Sequence, residues 1–348
     1  MTTTEQDIRV LRTPESRFAN LPDYPFEPHY VAVDGGRLRM HHLDERPEHP
    51  SGETVLLLHG NPSWSYLYRH VIPPLVQAGH RCVAVDLIGF GRSDKLADRH
   101  LYTYDRHLGW LREAVLDRLD LREVTMVCHD WGGALGLPLL AAHPERFRRV
   151  VATNTGLSTG DEDLGPGWPM MAAWLQSSQR THPFLPSAIV QEMTATELGP
   201  EVLAAYDAPY PDEPYVTGVR QFPLLIPISP QDAYTPALRA AWDVLETLEL
   251  PFLCAFSDQD HVTRGDHTAL SGRIPGARRL AHPTITGAGH FLQEDAGPAL
   301  AAIVEQFIRS TSPSAHPADE HAGRPRPASP SARPADEHAG RLRPATPA

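Results

Sequence analysis

The sequence is short of cysteine, of net positive charge and of long apolar runs. Its 348 residues include three cysteines, Cys82, Cys128 and Cys254, far apart from one another. No two have zinc-ligand spacing, and an odd count makes no disulfide framework. Each sits in an apolar run, which predicts small buried residues in a cytoplasmic protein. Lys and Arg number 31 against 43 Asp and Glu, a formal charge of −12 with His neutral. An acidic surface does not track phosphate backbones or anionic lipid, so neither nucleic acid nor membrane is expected as a partner. No run approaches the ~20 apolar residues of a bilayer span. The first residues, Met-Thr-Thr-Thr-Glu-Gln-Asp, lack the basic-then-apolar pattern of a secretion signal. The loop from Gly89 to Asp94, Gly-Phe-Gly-Arg-Ser-Asp, lacks the third glycine of a dinucleotide fingerprint, so NAD binding there is rejected.

What is present is globular. Hydrophobic residues make up 41% and charged residues 21%, ordinary proportions for a chain that buries a core. The length exceeds the usual domain of ~100–150 residues, so one large domain or a core with an inserted module is expected. Proline, at 35 residues, is about twice its average share, and part of the excess lies at one end. From Ser312 onward there are eight prolines in 37 residues and no aromatic. The octapeptide Pro-Ala-Asp-Glu-His-Ala-Gly-Arg occurs there twice, at 317–324 and 334–341. Such a segment buries too little apolar surface to offset its ordering entropy, so residues 312–348 are expected to be a disordered tail.

The remainder alternates. Apolar runs at Thr54–Leu58, 82–85, 124–128, 149–152, 252–256 and 284–286 end in polar or Gly-rich loops, and most are followed by helical patterns. Continuous rather than alternating apolar strands, separated by helices, predict an α/β fold with a mostly parallel sheet covered on both faces. Between about 156 and 236 this rhythm stops. The stretch is rich in Pro, Trp and Met, with helical pieces at 169–178 and 187–194. Residues 156–235 therefore read as an inserted helical cap, with 1–155 and 236–311 forming the core. A cap in that place lies over the carboxyl ends of the strands, where ligands bind in open α/β sheets.

The chemistry centres on Cys128-His129-Asp130-Trp131-Gly132-Gly133. A strand, a sharp turn and a helix, with small residues flanking the exposed one, form a nucleophile elbow. The exposed residue here is Asp130. A carboxylate needs no base to activate it, since its reference pKa is ~3.9, and it suits attack on saturated carbon or an epoxide. Asp130 is equally well placed as a helix N-cap. An alkyl ester on it then needs activated water. His290, in Gly287-Ala-Gly-His290, follows the last expected strand and closes the order nucleophile, acid, histidine. The acid is Asp260, with Asp258 as its rival, while Asp86 reads as a loop-structuring residue. The loop at His59-Gly60-Asn61 follows another strand and offers a backbone N–H or the Asn61 amide to an oxyanion.

With these residues in hand, the sequence closely resembles the haloalkane dehalogenases, within the α/β-hydrolase fold, over about residues 10–310. The carrying stretches are His59-Gly-Asn-Pro-Ser-Trp, Asp86-Leu-Ile-Gly-Phe-Gly-Arg-Ser-Asp94, Asp130-Trp-Gly-Gly133, Tyr206-Asp-Ala-Pro-Tyr-Pro, Gly218-Val-Arg-Gln-Phe-Pro and Gly289-His-Phe-Leu-Gln-Glu294. The sheet motifs are shared with many α/β-hydrolases. The motif at 206–223 and the Asp-Trp pair are more specific. The resemblance is to the branch with an Asp-His-Asp triad and two halide-binding tryptophans. It implies that Asp130 displaces halide, that Trp131 donates its indole N–H to the leaving halide, and that His290, oriented by Asp260, activates water. It implies Trp174 as the second indole, with Trp168 as competitor. Asn61 stands where that branch often has Glu and where others use Asn for halide, so Asn61 is an alternative second ligand. The implied partners are a haloalkane, water and halide, with no cofactor and no metal. A monomer and a detoxifying role are expected.

His129 stands where this family commonly has Gln, and His-Asp-Trp-Gly is also typical of epoxide hydrolases. An epoxide hydrolase keeps the same triad but protonates the epoxide oxygen with phenols, for which Tyr206, Tyr210, Tyr215 and Tyr234 are available. A light-emitting oxygenase on the same scaffold and a non-catalytic ligand-binding form are more distant readings. Deleting 312–348 is expected to leave turnover nearly unchanged, as measured by steady-state kcat; a large loss would make the tail part of the fold or site.

Overall fold

The computed structural model describes residues 8–162 and 168–312. The duplicated octapeptide lies outside the described residues, and with it the expectation of a disordered tail. The strands are β1 (Val10–Leu11), β2 (His29–Val33), β3 (Leu38–Glu45), β4 (Thr54–Leu58), β5 (Arg81–Val85), β6 (Lys95–Leu96), β7 (Val124–His129), β8 (Phe147–Thr153), β9 (Phe252–Cys254), β10 (Phe256–Ser257) and β11 (Thr284–Ile285). Seven of them form one sheet in the order β2-β3-β5-β4-β7-β8-β9. Pairings from β5 to β9 are parallel. The pairings of β2 with β3 and of β3 with β5 are antiparallel.

The apolar runs explain the parallel part. All six residues of β7 are buried. Leu56, Leu58, Met126 and Cys128 join one core cluster, while their neighbours Val55, Leu57 and Val127 join another. Successive side chains point to opposite faces of a strand, so both faces are covered, as continuous hydrophobicity predicts.

The hairpin β2–β3 is not among the expected strands, although Tyr30-Val-Ala-Val33 is a short apolar run; of β2, one residue, Val33, is fully buried. Its signal is the turn Asp34-Gly35-Gly36, in which all three residues take positive φ, 58°, 65° and 90°, a requirement glycine meets without strain. The expected strand at 252–256 is split at Ala255. There the chain leaves β8 for β11, to which β10 pairs in parallel.

Helices α1 (Ile72–Gln77), α2 (Tyr104–Arg112) and α3 (Trp131–Ala142) lie between sheet strands. In the interval after β8 come α4 (Trp168–Arg180), α5 (Pro186–Glu192), α6 (Pro200–Asp207) and α7 (Thr217–Gln221). They are followed by α8 (Thr235–Leu245), α9 (Asp266–Arg273), α10 (Pro275–Arg278) and α11 (Leu292–Thr311), the last broken at Ala296. Among the described residues no helix is long and apolar enough to cross a membrane.

One buried ion pair ties the first turn of α11 to the rest. Arg69 meets Glu294 in bidentate fashion, Nη1 to Oε1 at 2.5 Å and Nη2 to Oε2 at 2.6 Å, with both side chains almost wholly buried. The guanidinium lies 4.1 Å from the centroid of the Tyr66 ring. The Tyr206 hydroxyl of α6 donates to the same carboxylate. Removing one partner leaves an uncompensated buried charge, which typically destabilises by ~3–5 kcal/mol. Glu294→Ala is expected to lose stability of that order in urea unfolding; a loss within the ~0–1 kcal/mol of an exposed pair contradicts it.

Candidate active site

Asp130 sits between β7 and α3 with φ +50° and ψ −122°, a conformation that costs a non-glycine residue about 1–3 kcal/mol. The surrounding glycines make it possible. A Cβ on Gly132 would stand 2.1 Å from the Leu58 carbonyl oxygen, one on Gly133 2.0 Å from Thr155 Oγ1, and one on Gly60 2.2 Å from Asp130 Oδ1. The turn is fixed from outside as well: the Asp130 N–H donates to the Asn154 carbonyl at 3.1 Å and Thr155 Oγ1 donates to the Asp130 carbonyl at 2.7 Å. Asp130 does stand at the N-cap position of α3, but its side chain makes no capping hydrogen bond to the helix. Its Oδ1 instead accepts the backbone N–H of Asn61 at 2.7 Å.

The histidine arrives from the loop after β11. His290 Nε2 lies 3.6 Å from Asp130 Oδ2, and Nδ1 lies 3.1 Å from Asp260 Oδ1. Asp260 is itself oriented, accepting from the Val262 N–H at 2.8 Å and from the Thr263 hydroxyl at 2.5 Å. The rival Asp258 is exposed and accepts the Gly287 N–H at 2.8 Å. Asp86 is buried in its own loop, accepting from Ser65 N–H at 2.7 Å, from Arg92 N–H at 2.8 Å and from the His41 ring at 2.7 Å.

Two residues that pattern reading did not give a role hold the His290 carbonyl. His129 Nε2 donates to it at 2.8 Å and Asn154 Nδ2 at 2.9 Å. Burial, and then the neighbouring His290, push the His129 pKa down to about 4, so this imidazole is neutral and its donated proton is a fixed feature. The one sequence signal for Asn154 is its place just past the end of β8. Nothing in the sequence alone pairs it with a carbonyl 136 positions away.

The charges are interlocked. Burial disfavours the His290 imidazolium, but Asp130 and Asp260 outweigh it and raise the pKa to about 9. Burial likewise disfavours an ionised Asp130; His290, His129 and the Trp131 backbone N–H overcome it and hold the carboxyl below its ordinary value. Asp260, opposed by burial, is held far below the usual carboxylate range by His290 and Thr263.

A cavity of about 660 Å³ reaches His290, lined by Met170, Trp174, Phe184, Ile189 and Met193 among others. Trp174, on α4, is therefore in its wall, whereas Trp168 is 43% exposed. Trp131 is buried, its ring 4.5 Å from that of Phe222. Asn61 is buried too, and its Oδ1 has no hydrogen-bond partner among the described residues. Asp130, Asp260, Trp131 and Asn61 are not among the residues lining this cavity, and neither are the four tyrosines named for an epoxide reaction. The Tyr206 hydroxyl is engaged by Glu294, and the Tyr234 ring lies 5.2 Å from that of Tyr104.

The chain is similar to known proteins in sequence and in fold. A model of the alpha/beta hydrolase fold matches residues 53–297. The haloalkane dehalogenase of Psychrobacter cryohalolentis is 51% identical over 304 residues, covering 86% of this chain and 98% of that protein. The haloalkane dehalogenase of Mycolicibacterium paratuberculosis is 45% identical over 298 residues, covering 84% of this chain and 96% of its own. Among solved structures, the tetrameric haloalkane dehalogenase DpaA from Paraglaciecola agarilytica NO2 superposes with a TM-score of 0.78 at 35% identity, over 85% of this chain and 97% of that one.

The elevated His290 pKa depends on two carboxylates. In Asp130→Asn one of them is neutral, so the imidazole is expected to titrate at lower pH than in the unmodified protein, read by NMR of labelled histidine. An unchanged midpoint contradicts the coupling.

Proposed function

The chain belongs to the haloalkane dehalogenases, hydrolases of carbon–halide bonds on the alpha/beta hydrolase fold, and we propose that it works through an alkyl ester on Asp130. The observation that carries this reading is the division of labour at one carboxylate. Oδ1 is held by the Asn61 N–H, which leaves Oδ2, on the His290 side, free to attack.

In the first step Oδ2 attacks the halogen-bearing carbon in line and the halide departs with the bonding electrons. Halide is large and weakly hydrated, and an indole N–H in an apolar wall holds it as charge develops. Trp131 is the first donor. Trp174 from the cavity wall and Asn61 at the end of β4 are the candidates for the second.

In the second step His290 Nε2 takes a proton from water, whose oxygen attacks Cγ of the ester. The oxyanion forms on Oδ1, where the Asn61 and Trp131 backbone N–H groups meet it. Collapse expels the alcohol, which receives the proton from His290. The regenerated carboxyl loses the second water proton, so the products are alcohol, halide and a proton.

The first step also arms the second. Esterification removes the Asp130 charge that helps keep His290 protonated, so the imidazole pKa falls toward its ordinary value and it becomes a base. Activity is accordingly lost as pH falls through the His290 pKa of the ester, because the base must be neutral.

In this reading residues 156–235 are the cap and residues 1–155 and 236–311 the core. Three free, buried cysteines suit a reducing cytoplasm, and removal of reactive alkyl halides is a detoxifying role.

The test is halide release from 1-bromobutane and 1,2-dibromoethane near pH 8. Release is expected from the intact protein and not from Asp130→Ala. His290→Phe is expected to release a single equivalent and gain the mass of one alkyl group. No release from the folded protein overturns the reading, and styrene oxide is the next substrate to try.

A further inference from the structure

The water-activating histidine is held from two sides. Its carbonyl is fixed by the core, through His129 and Asn154. Its backbone N–H points the other way and donates to the Met193 carbonyl at 2.7 Å. Met193 is the C-cap of α5, so an orphan carbonyl of the helix end is satisfied by the catalytic loop. Gly289 makes that approach possible, since a Cβ there would stand 2.4 Å from the Met193 oxygen.

One side chain spans this joint. Asp295 Oδ2 accepts the N–H of Gly289 at 2.8 Å and the N–H of Ala195 at 3.0 Å. Its Oδ1 accepts the N–H of Thr196 at 2.7 Å. A single carboxylate thus binds one amide of the histidine loop and two amides of the segment after α5. Hydrogen bonds to an ionised acceptor are roughly twice as strong as neutral ones. Asp295 lies one residue before the break in α11, which places it in the short turn that leads from His290 into the helix. Met193, Thr194, Ala195, Gly289 and His290 all line the cavity, so the joint is also a wall of the substrate space.

We propose that Asp295 is a positioning residue for ester hydrolysis, clamping the His290 loop to the cap so that the imidazole meets the water above the Asp130 ester. The proposal rests on the covalent reading given above. It assigns Asp295 no part in alkylation, because attack by Asp130 needs no base. Losing the clamp therefore slows the second step alone. With alkylation unchanged, kcat and KM fall together and kcat/KM stays constant, since kcat/KM reports the steps up to halide departure. A displacement near 1 Å can lower a rate by on the order of 100-fold, so a fall in kcat of roughly 10–100-fold is expected.

The experiment compares Asp295→Ala and Asp295→Asn with the unmodified protein and with His290→Phe. For each, thermal melting, steady-state kcat and KM, pre-steady-state halide release and intact mass are measured with 1,2-dibromoethane. The expected result for Asp295→Ala is a full first-turnover burst, a low kcat, an unchanged kcat/KM and an accumulated alkyl-enzyme. Asp295→Asn, which keeps one acceptor oxygen, is expected to lie between. If His290→Phe traps the ester but the other variants lose kcat/KM in parallel with kcat and accumulate no adduct, the clamp is overturned while the covalent reading stands. If His290→Phe traps no ester, the covalent reading itself fails. If neither Asp295 variant folds at 25 °C, the residue is structural and the proposal is overturned.

Discussion

The structure depends on one strained peptide. Asp130 is held at positive φ where a buried strand meets a buried helix, and the strain persists because the packing over-determines it. Leu58 from β4, Thr155 after β8 and the Gly60 loop all close on the same turn, each touching a position where a Cβ does not fit. The twelve residues of α3 are almost entirely buried, so the helix cannot swing to relieve it. What results is a carboxylate that cannot cap its own helix and is presented instead to the ends of the neighbouring strands.

Electrostatics turns that presentation into an ordered pair of events. A histidine between two carboxylates is a poor base, because its proton is stabilised from both sides. In the proposed mechanism, converting one carboxylate to an ester leaves one partner and frees the base. The charge state of Asp130 would then set the timing of the histidine, with no moving part needed to separate attack from hydrolysis.

Much of this was legible in the sequence, and for a physical reason. Strands buried on both faces write themselves as continuous apolar runs, and a sharp turn into a helix demands small residues at fixed offsets. So the parallel strands, the elbow at Asp130 and the loop of His290 could be read from local pattern. The hairpin at β2–β3 was not, because β2 is mostly unburied and β3 mixes apolar with polar residues. Nor were the roles of Asn154, whose carbonyl partner is 136 positions away, and of Asp295, two of whose three backbone N–H partners are about a hundred positions away. A backbone donor or acceptor has no letter in the sequence, so a side chain that binds one leaves no pattern to find. The split at Ala255 belongs to the same class: changing strand partners is a decision of the sheet, not of the residue.

The glycine at position 60 has a consequence for what this scaffold can host. Its missing Cβ leaves just the room that the Asp130 carboxylate occupies. A glutamate would carry the carboxylate about one carbon–carbon bond, ~1.5 Å, further, into the backbone of the facing loop. Shorter side chains meet no such wall. The pocket is thus a gauge with an upper limit on the side chain at position 130 and no lower one.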